Sequence, residues 1–383
     1  MAINKFMTVG ELGSSSHTFI QGEQNDSGIF VPDAWTEHPS MGHMQGQVTD
    51  VEQMAHSLRG ALSDLKLQTG RDINRIDVLG ITLDQPFTIC SRGMTEIRQG
   101  VVHPYDVESV MLSAQTVNLP DDYKLIHVVP LYYEVDHHCR VQDPVGLSGK
   151  RLEGCFHLLA VPKSLIENHK KVFADLSITV GQMVLTPVCA KPSQISQDEY
   201  VVVIDFGWRS TRASVYHQGS CVMVSTVPWG GAHVDQDLSI CCEIKKPYAE
   251  RLKIEFMQRD LPKRLSQKDQ LVFQIIEARY EEILSMLYDK IKDEVDSASE
   301  LKVLGVGGGY QPHFIDPIIR RCIGQNMSLL HADELISGTA YNHWAACQLF
   351  DYAQRIQAAP HHLDHSSVKQ VLRRCKQWFE YHF

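Results

Sequence analysis

The chain has 383 residues, 43% hydrophobic and 21% charged, an ordinary soluble globular composition with enough length for two domains. A formal net charge of -10 gives no whole-chain signal for nucleic acid as a partner, and no window offers the roughly 18 uninterrupted apolar residues of a membrane-crossing helix. Ten cysteines lie without any C-x-x-C pair and no basic-then-apolar leader opens the chain, so a reducing cytoplasmic compartment is expected.

In chain order, F-M-T-V-G-E-L-G-S-S-S-H-T-F-I reads as a short strand with Glu11 near its end, a turn at Gly13, Ser14 and Ser15, and a return strand. The amides of such a turn suit a phosphate, and equally a plain hairpin. Residues 23–47 are polar, rich in Gly, Pro and His, and expected to form loop. Thr49 and Asp50 cap a predicted helix with Val51, Met54, Leu58, Leu62 and Leu65 at helical spacing, and R-I-D-V-L-G-I-T follows as a buried strand. Residues 84–154 read as a small αβ module. It has strands at 86–92 and 124–133, a helix at 104–117, and a glycine-punctuated stretch D-P-V-G-L-S-G-K-R-L. A strand at 156–161 and a helix at 163–175 follow.

The centre repeats the opening theme. V-V-V-I-D-F brings Asp205 to a bend, Gly207, Trp208, Arg209 and Ser210 turn the chain, T-R-A-S-V-Y returns, and C-V-M-V-S-T-V makes a third strand. An acid ending a buried strand before a tight turn is where a nucleotide fold holds a Mg-bound water or a phosphate. A β-meander with a turn-initiating Asp has the same pattern. The recurrence at Glu11 and Asp205 suggests two halves built alike with a ligand between them. Gly230 and Gly231 then lead into a helix whose first amides can approach an anion. Glu250 and Lys253 are neighbours on the next helix face, a pattern that a solvated ionic face shares. After a long amphipathic helix at 271–295, L-K-V-L-G-V runs into Gly307, Gly308, Gly309 and Tyr310. Such a triplet either lets backbone pass close to a flat ligand or makes a sharp turn.

The tail has a polar linker at 361–366, whose three histidines read as linker. A last helix puts Val368, Val371, Leu372, Cys375, Trp378, Phe379 and Phe383 on one face, with Lys369, Arg373, Arg374 and Lys376 at its sides or opposite. At about 1.5 Å per residue it is roughly 24 Å long and too charged to cross a bilayer. It suits the surface of an anionic membrane; packing on the domain body is the alternative.

Taken together, the two hairpins, D-P-V-G-L-S-G-K-R, W-G-G-A-H-V-D-Q-D-L, A-E-R-L-K-I, I-E-A-R-Y-E-E-I and V-G-G-G-Y resemble the actin-like ATPase superfamily and, within it, the FtsA family of bacterial cell-division proteins, over almost the whole chain. The resemblance implies an α/β, actin-like two-lobed fold of ribonuclease H-like repeats with the FtsA-type inserted subdomain 1C. It divides the chain into subdomain 1A (1–83 and 156–198), 1C (84–155), 2A (199–243 and 301–354), 2B (244–300), a linker (355–366) and a membrane-targeting helix (367–383). It implies ATP or ADP between the lobes, with Mg2+ facing Glu11 and Asp205 through water. Gly13, Ser14, Ser15, Gly207, Trp208, Arg209 and Ser210 would lie at the phosphates, with Gly230 and Gly231 beside them. Glu250 and Lys253 would lie along the ribose and adenine, and Gly307, Gly308, Gly309 and Tyr310 would border the base.

The same resemblance implies self-association into protofilaments and attachment to the inner membrane at the division septum through Val368, Val371, Leu372, Arg373, Arg374, Lys376, Trp378, Phe379 and Phe383. It also implies binding of the FtsZ C-terminal peptide at Glu277, Arg279, Tyr280 and Glu282, contacts with other divisome proteins through 1C, and at most slow ATP hydrolysis with no catalytic residue assigned. Two departures stand out: the family's D-x-G-G-G-T is D-F-G-W-R-S here, where positive φ at Trp208 or Arg209 would be costly, and a lysine after the first turn is Ser16. A sugar-type kinase of the same superfamily, and a scaffold of this fold that has lost its nucleotide, are the rival readings.

Overall fold

Each half of the chain begins with a hairpin whose strands are largely buried on both faces, and each hairpin is the antiparallel side of a five-stranded sheet. The computed structural model describes residues 5–138, 140–192, 199–259, 266–296, 298, 300–324, 327–331 and 343–358. The expected membrane helix, with Val368, Val371, Leu372, Arg373, Arg374, Lys376, Trp378, Phe379 and Phe383, lies outside the described residues.

The first lobe opens with β1 (Phe6–Leu12), β2 (Ser16–Gln24) and β3 (Phe30–Pro39). Two short strands, β4 (His43–Met44) and β5 (Gln47–Val48), lead to α1 (Val51–Thr69) and β6 (Arg75–Ile81). The side chain of Asp50 accepts the Gln53 amide at the start of α1, and Gly70, at φ 68°, ends it in the left-handed conformation that glycine adopts without strain. The polar stretch 23–47 is therefore not all loop. β3 escapes notice because it is an edge strand: it contains Pro32 and Pro39, and it leaves Val31 and Trp35 about half exposed, so it has no apolar alternation to read.

The inserted module follows as β7 (Phe87–Glu96), α2 (Pro104–Ala114), β8 (Tyr123–Val135), β9 (Arg140–Val141) and β10 (Arg151–Pro162), in an antiparallel sheet ordered β7-β10-β8-β9. Its core lies between the sheet and α2, around Val110, Phe156 and Leu158. β10 pairs with β8 as far as Pro162, across the expected boundary at 155, and its last residues Leu159 and Val161 reach the core of the first lobe. The chain then forms α3 (Lys163–Asp175), β11 (Thr179–Leu185) and the short α4 (Thr186–Cys189).

The second lobe repeats the plan with β12 (Tyr200–Phe206), β13 (Thr211–His217), β14 (Ser220–Val227), α5 (Gly231–Cys241), α6 (Lys246–Gln258), α7 (Gln267–Val295), β15 (Leu301–Val306), α8 (Pro312–Ile323) and β16 (Met327–Leu330). The sheet orders β3-β2-β1-β6-β11 and β14-β13-β12-β15-β16 match strand for strand, antiparallel on the hairpin side and parallel beyond it. The two halves are thus built alike, as the recurrent hairpins suggest.

The last described helix, α9 (Trp344–Ala358), returns to the first lobe, where Leu349, Phe350 and Ala353 pack on Met7, Val9 and Val78. Trp344 still packs on Val203, Leu304 and Val306 of the second lobe, so the expected assignment of 301–354 to that lobe fails only from Ala346 onward. An apolar helix face shows that it covers a sheet, but not which one.

Behind the first hairpin, His17, His43 and His169 are buried, with ring centroids 5.4 and 5.3 Å apart in edge-on contacts. Burial pushes His17 down to about 3 and His43 to about 4, and lowers His169. The folded chain therefore holds these rings neutral while the unfolded chain protonates them near pH 6.5. Their contribution to stability is complete above that pH and is lost as pH falls toward 4. Thermal unfolding should show a Tm lower by on the order of 5 °C at pH 5 than at pH 7, and His17→Leu should flatten that slope.

Candidate functional site

The two hairpin turns are near copies. The Gly13 amide donates to the Ser16 carbonyl at 2.9 Å and the Gly207 amide to that of Ser210 at 3.1 Å. In both, a Cβ on the glycine would stand under 3 Å from the accepting oxygen, which excludes any side chain there. Glu11 pairs with Thr18 across the first hairpin, and Asp205 with Arg212 across the second. Trp208 and Arg209 take the place of glycines without strain, since neither has positive φ. The Arg209 guanidinium lies 4.7 Å from the centre of the Trp208 ring.

Arg212 is the residue that the motif reading passes over. Its Nη1 lies 3.2 Å from Asp205 Oδ2, and its Nη2 lies 3.1 Å from Asp84 Oδ1 and 3.3 Å from Ser210 Oγ. The Ser210 hydroxyl also donates to Asp84 Oδ1 at 2.9 Å. The Arg212 side chain is 5% exposed, a burial that a guanidinium tolerates only when paired. Asp84 follows β6 in the first lobe, so this network joins the two halves. The signal was present in hairpin register: with 207–210 as the turn, the residue opposite Asp205 is Arg212.

The carboxylates respond to this enclosure. Glu11 is pushed up to about 8, first by enclosure and then by the charge of Asp205, with Arg212 and a hydrogen bond from Thr82 opposing. Enclosure also raises Asp205, and Arg212 opposes it.

Between the lobes lies a cleft of about 270 Å³. It gathers the predicted Glu11, Gly13, Ser14, Ser15, Asp205, Gly207, Trp208, Arg209, Ser210, Gly231, Glu250, Lys253, Gly307, Gly308 and Gly309, together with the unpredicted Thr18, Glu37, Thr82, Arg212 and Met257. Gly307, at φ +93°, packs against Asp205 so closely that a Cβ would clash with the carboxylate. Gly308 has no atom within 4 Å of where a Cβ would stand, which leaves an open face on the cleft wall.

Several assignments change. The amides at the start of α5 do not face an anion: Gly231 donates to the Gly207 carbonyl at 3.0 Å, Ala232 to that of Trp208 at 2.8 Å, and Gly230 to His233 Nδ1 at 3.2 Å. Gly230 lies outside the cleft lining, and it is small because the second turn packs on it. Lys253 lines the cleft, but its ammonium is held by Asp235 at 2.7 Å and the Gly231 carbonyl at 3.0 Å. Tyr310 is 1% exposed beneath the glycine turn, where its hydroxyl donates to Asp316 at 2.6 Å.

On α7, Tyr280 is also buried, donating to the Gly309 carbonyl at 3.1 Å, and cannot present itself to a partner. Arg279 is bound by Asp237 and Glu282, and Glu277 by Arg321. The helical periodicity of α7 was legible, but the phase of its buried face was not.

A Mg2+ held through water by Glu11 and Asp205 would have to share Asp205 with Arg212. Asp205 already pairs with a buried guanidinium, so a divalent cation would meet a positive charge there.

Two family models match the chain: "SHS2 domain inserted in FTSA" over residues 85–160 and "Cell division protein FtsA" over residues 202–341. The chain is 27% identical over 255 residues to the cell division protein FtsA of Neisseria meningitidis serogroup B, covering 66% of this chain and 61% of that one, short of two thirds of its length. To the cell division protein FtsA of Pseudomonas aeruginosa it is 25% identical over 308 residues, 75% of this chain and 73% of that one. Among solved structures, the PilM-PilN type IV pilus biogenesis complex matches with a TM-score of 0.64 at 13% identity, over 91% of this chain and 98% of that one, a likeness of fold.

If Tyr280 is part of the core, Tyr280→Ala should lower stability in urea by about 3–5 kcal/mol. A change within about 0.5 kcal/mol is what a surface position gives.

Proposed function

The chain belongs to the FtsA family, with that family's actin-like fold and inserted module, and from that premise we propose that it is a nucleotide-binding membrane tether of the cell-division machinery. It takes ATP or ADP between its lobes, associates with copies of itself, and holds the tubulin-like protein FtsZ at the cytoplasmic face of the inner membrane during septum assembly.

The observation that carries the nucleotide reading is the facing of two matched glycine turns, Gly13–Ser16 and Gly207–Ser210, across one cleft with Gly308 open on its wall. The turns and the guanidinium of Arg209 suit the phosphates, and the open glycine leaves room for a flat base. Mg2+ at Glu11 and Asp205 is not part of the proposal, for the charge reason given above.

The membrane half of the proposal rests on residues 367–383. Among the described residues no helix is long and apolar enough to cross a membrane. A single amphipathic helix binds lipid weakly, so attachment depends on many tails acting together, which self-association supplies. FtsZ recognition is assigned to the second-lobe helical region around α7, where Glu282 is the half-exposed member of the four residues expected there. Contacts with other divisome proteins are assigned to the module containing β7–β10.

Calorimetric titration with ATP and ADP should give a Kd below about 100 μM, and Gly308→Trp, which fills the open face, should weaken it at least about tenfold. An absence of binding at millimolar nucleotide favours the scaffold reading. In sedimentation with anionic vesicles, the chain ending at Ala359 should remain in the supernatant while the full chain pellets; equal pelleting of both would remove the tether.

A further inference from the structure

We infer that Arg212 replaces the divalent cation in this cleft, so that the phosphate-bearing ligand binds without metal. The ligand in this statement rests on the nucleotide reading above; the exclusion of metal rests on the position of the guanidinium itself.

The two hairpins match in glycine position, turn length and acid position, but at the residue opposite the acid they diverge: Thr18 in the first lobe, Arg212 in the second. A cation has therefore been built into one copy of a repeated device. It sits where charge is needed, with Nη1 at 3.2 Å from Asp205 and Nη2 at 3.1 Å from Asp84, so carboxylates of both lobes converge on one guanidinium.

Its 5% exposure means that it cannot swing into solvent to make way for an ion without leaving both carboxylates unpaired. A Mg2+ bridged by water to Asp205 would stand within a few ångströms of this charge, where the repulsion is screened little by solvent.

A second observation points to the kind of ligand. Arg209 lines the same cleft, and its Nε is buried with no acceptor from the protein; the Nε of Arg212 is in the same condition. Buried guanidinium donors without partners call for acceptor oxygens, and the planar fork of arginine matches phosphate. At the second turn Arg209 thus offers a donor to phosphate, while Arg212 neutralises the carboxylates that would otherwise hold a metal.

The test uses the full chain in three arms. Calorimetric titration with ADP is run with EDTA and again with excess Mg2+; the two Kd values should agree within about twofold, and weakening by more than about tenfold on chelation overturns the inference. Electron paramagnetic resonance of Mn2+ with the nucleotide-free chain should show no bound ion, and one bound ion per chain that is lost in Asp205→Asn overturns it. Arg212→Gln should bind Mn2+ and should make ADP affinity depend on metal by at least about tenfold, whereas Arg212→Lys should leave it metal-independent. An Arg212→Gln chain that folds but neither binds Mn2+ nor gains metal dependence contradicts the assigned role. If it does not fold, the two wild-type arms still decide. Should ADP bind in neither condition, the nucleotide reading fails separately, and the Mn2+ comparison alone decides whether the guanidinium holds the cation's place.

Discussion

A buried positive charge must be neutralised where it stands, and that requirement governs the centre of this molecule. Arg212 is anchored in the second lobe by strand pairing, and its guanidinium is satisfied by Asp205 beside it and by Asp84 from the first lobe. Ser210 closes the network by donating to the same Asp84 oxygen. Removing one member of such a set leaves a charge buried without compensation, which costs far more than a surface ion pair. The relative position of the lobes at the cleft floor is therefore set by electrostatics. Elsewhere it is reinforced by ordinary contacts such as the Tyr216 hydroxyl on the Pro187 carbonyl at 2.6 Å and the Gln142 amide on Gln218 at 2.7 Å.

Around that floor the chain uses one supersecondary plan twice. Each sheet places an acid at the end of its first strand and a glycine just beyond it, and the two ends face one another across the cleft. The inserted module leaves this plan intact because it departs after β6 and returns along β10 into α3, adding its own sheet and core at the side of the first lobe. α9 then crosses back to cover the free face of the first sheet. In this arrangement a ligand contacts elements of both repeats, so binding and lobe position are linked.

Much of this was legible in the sequence, for definite reasons. The hairpins at Glu11 and Asp205, the capped helix after Asp50 and the strand into Gly307 each carry a local signal, in β-branched runs, a capping side chain or turn glycines, and each is present as read. What local pattern does not encode is partnership at a distance. The exposed edge strand β3, the return of α9 to the first lobe, the burial of Tyr280 and the capture of Lys253 by Asp235 all depend on which surface packs on which. Gly230 illustrates the point: its smallness reads as ligand access, yet it serves the close approach of two backbone segments. Arg212 lay between the two kinds of information, since its cross-strand partner follows from hairpin register while Asp84 comes from the other lobe.

Arg212 and Asp84 couple the two lobes, and a double-mutant cycle measures that coupling directly. With Arg212→Met, Asp84→Asn and the double variant compared in urea denaturation, the coupling energy should be about 2 kcal/mol or more. A value within about 0.3–0.5 kcal/mol of zero, the range of independent sites, would mean that this charge does not hold the two halves together.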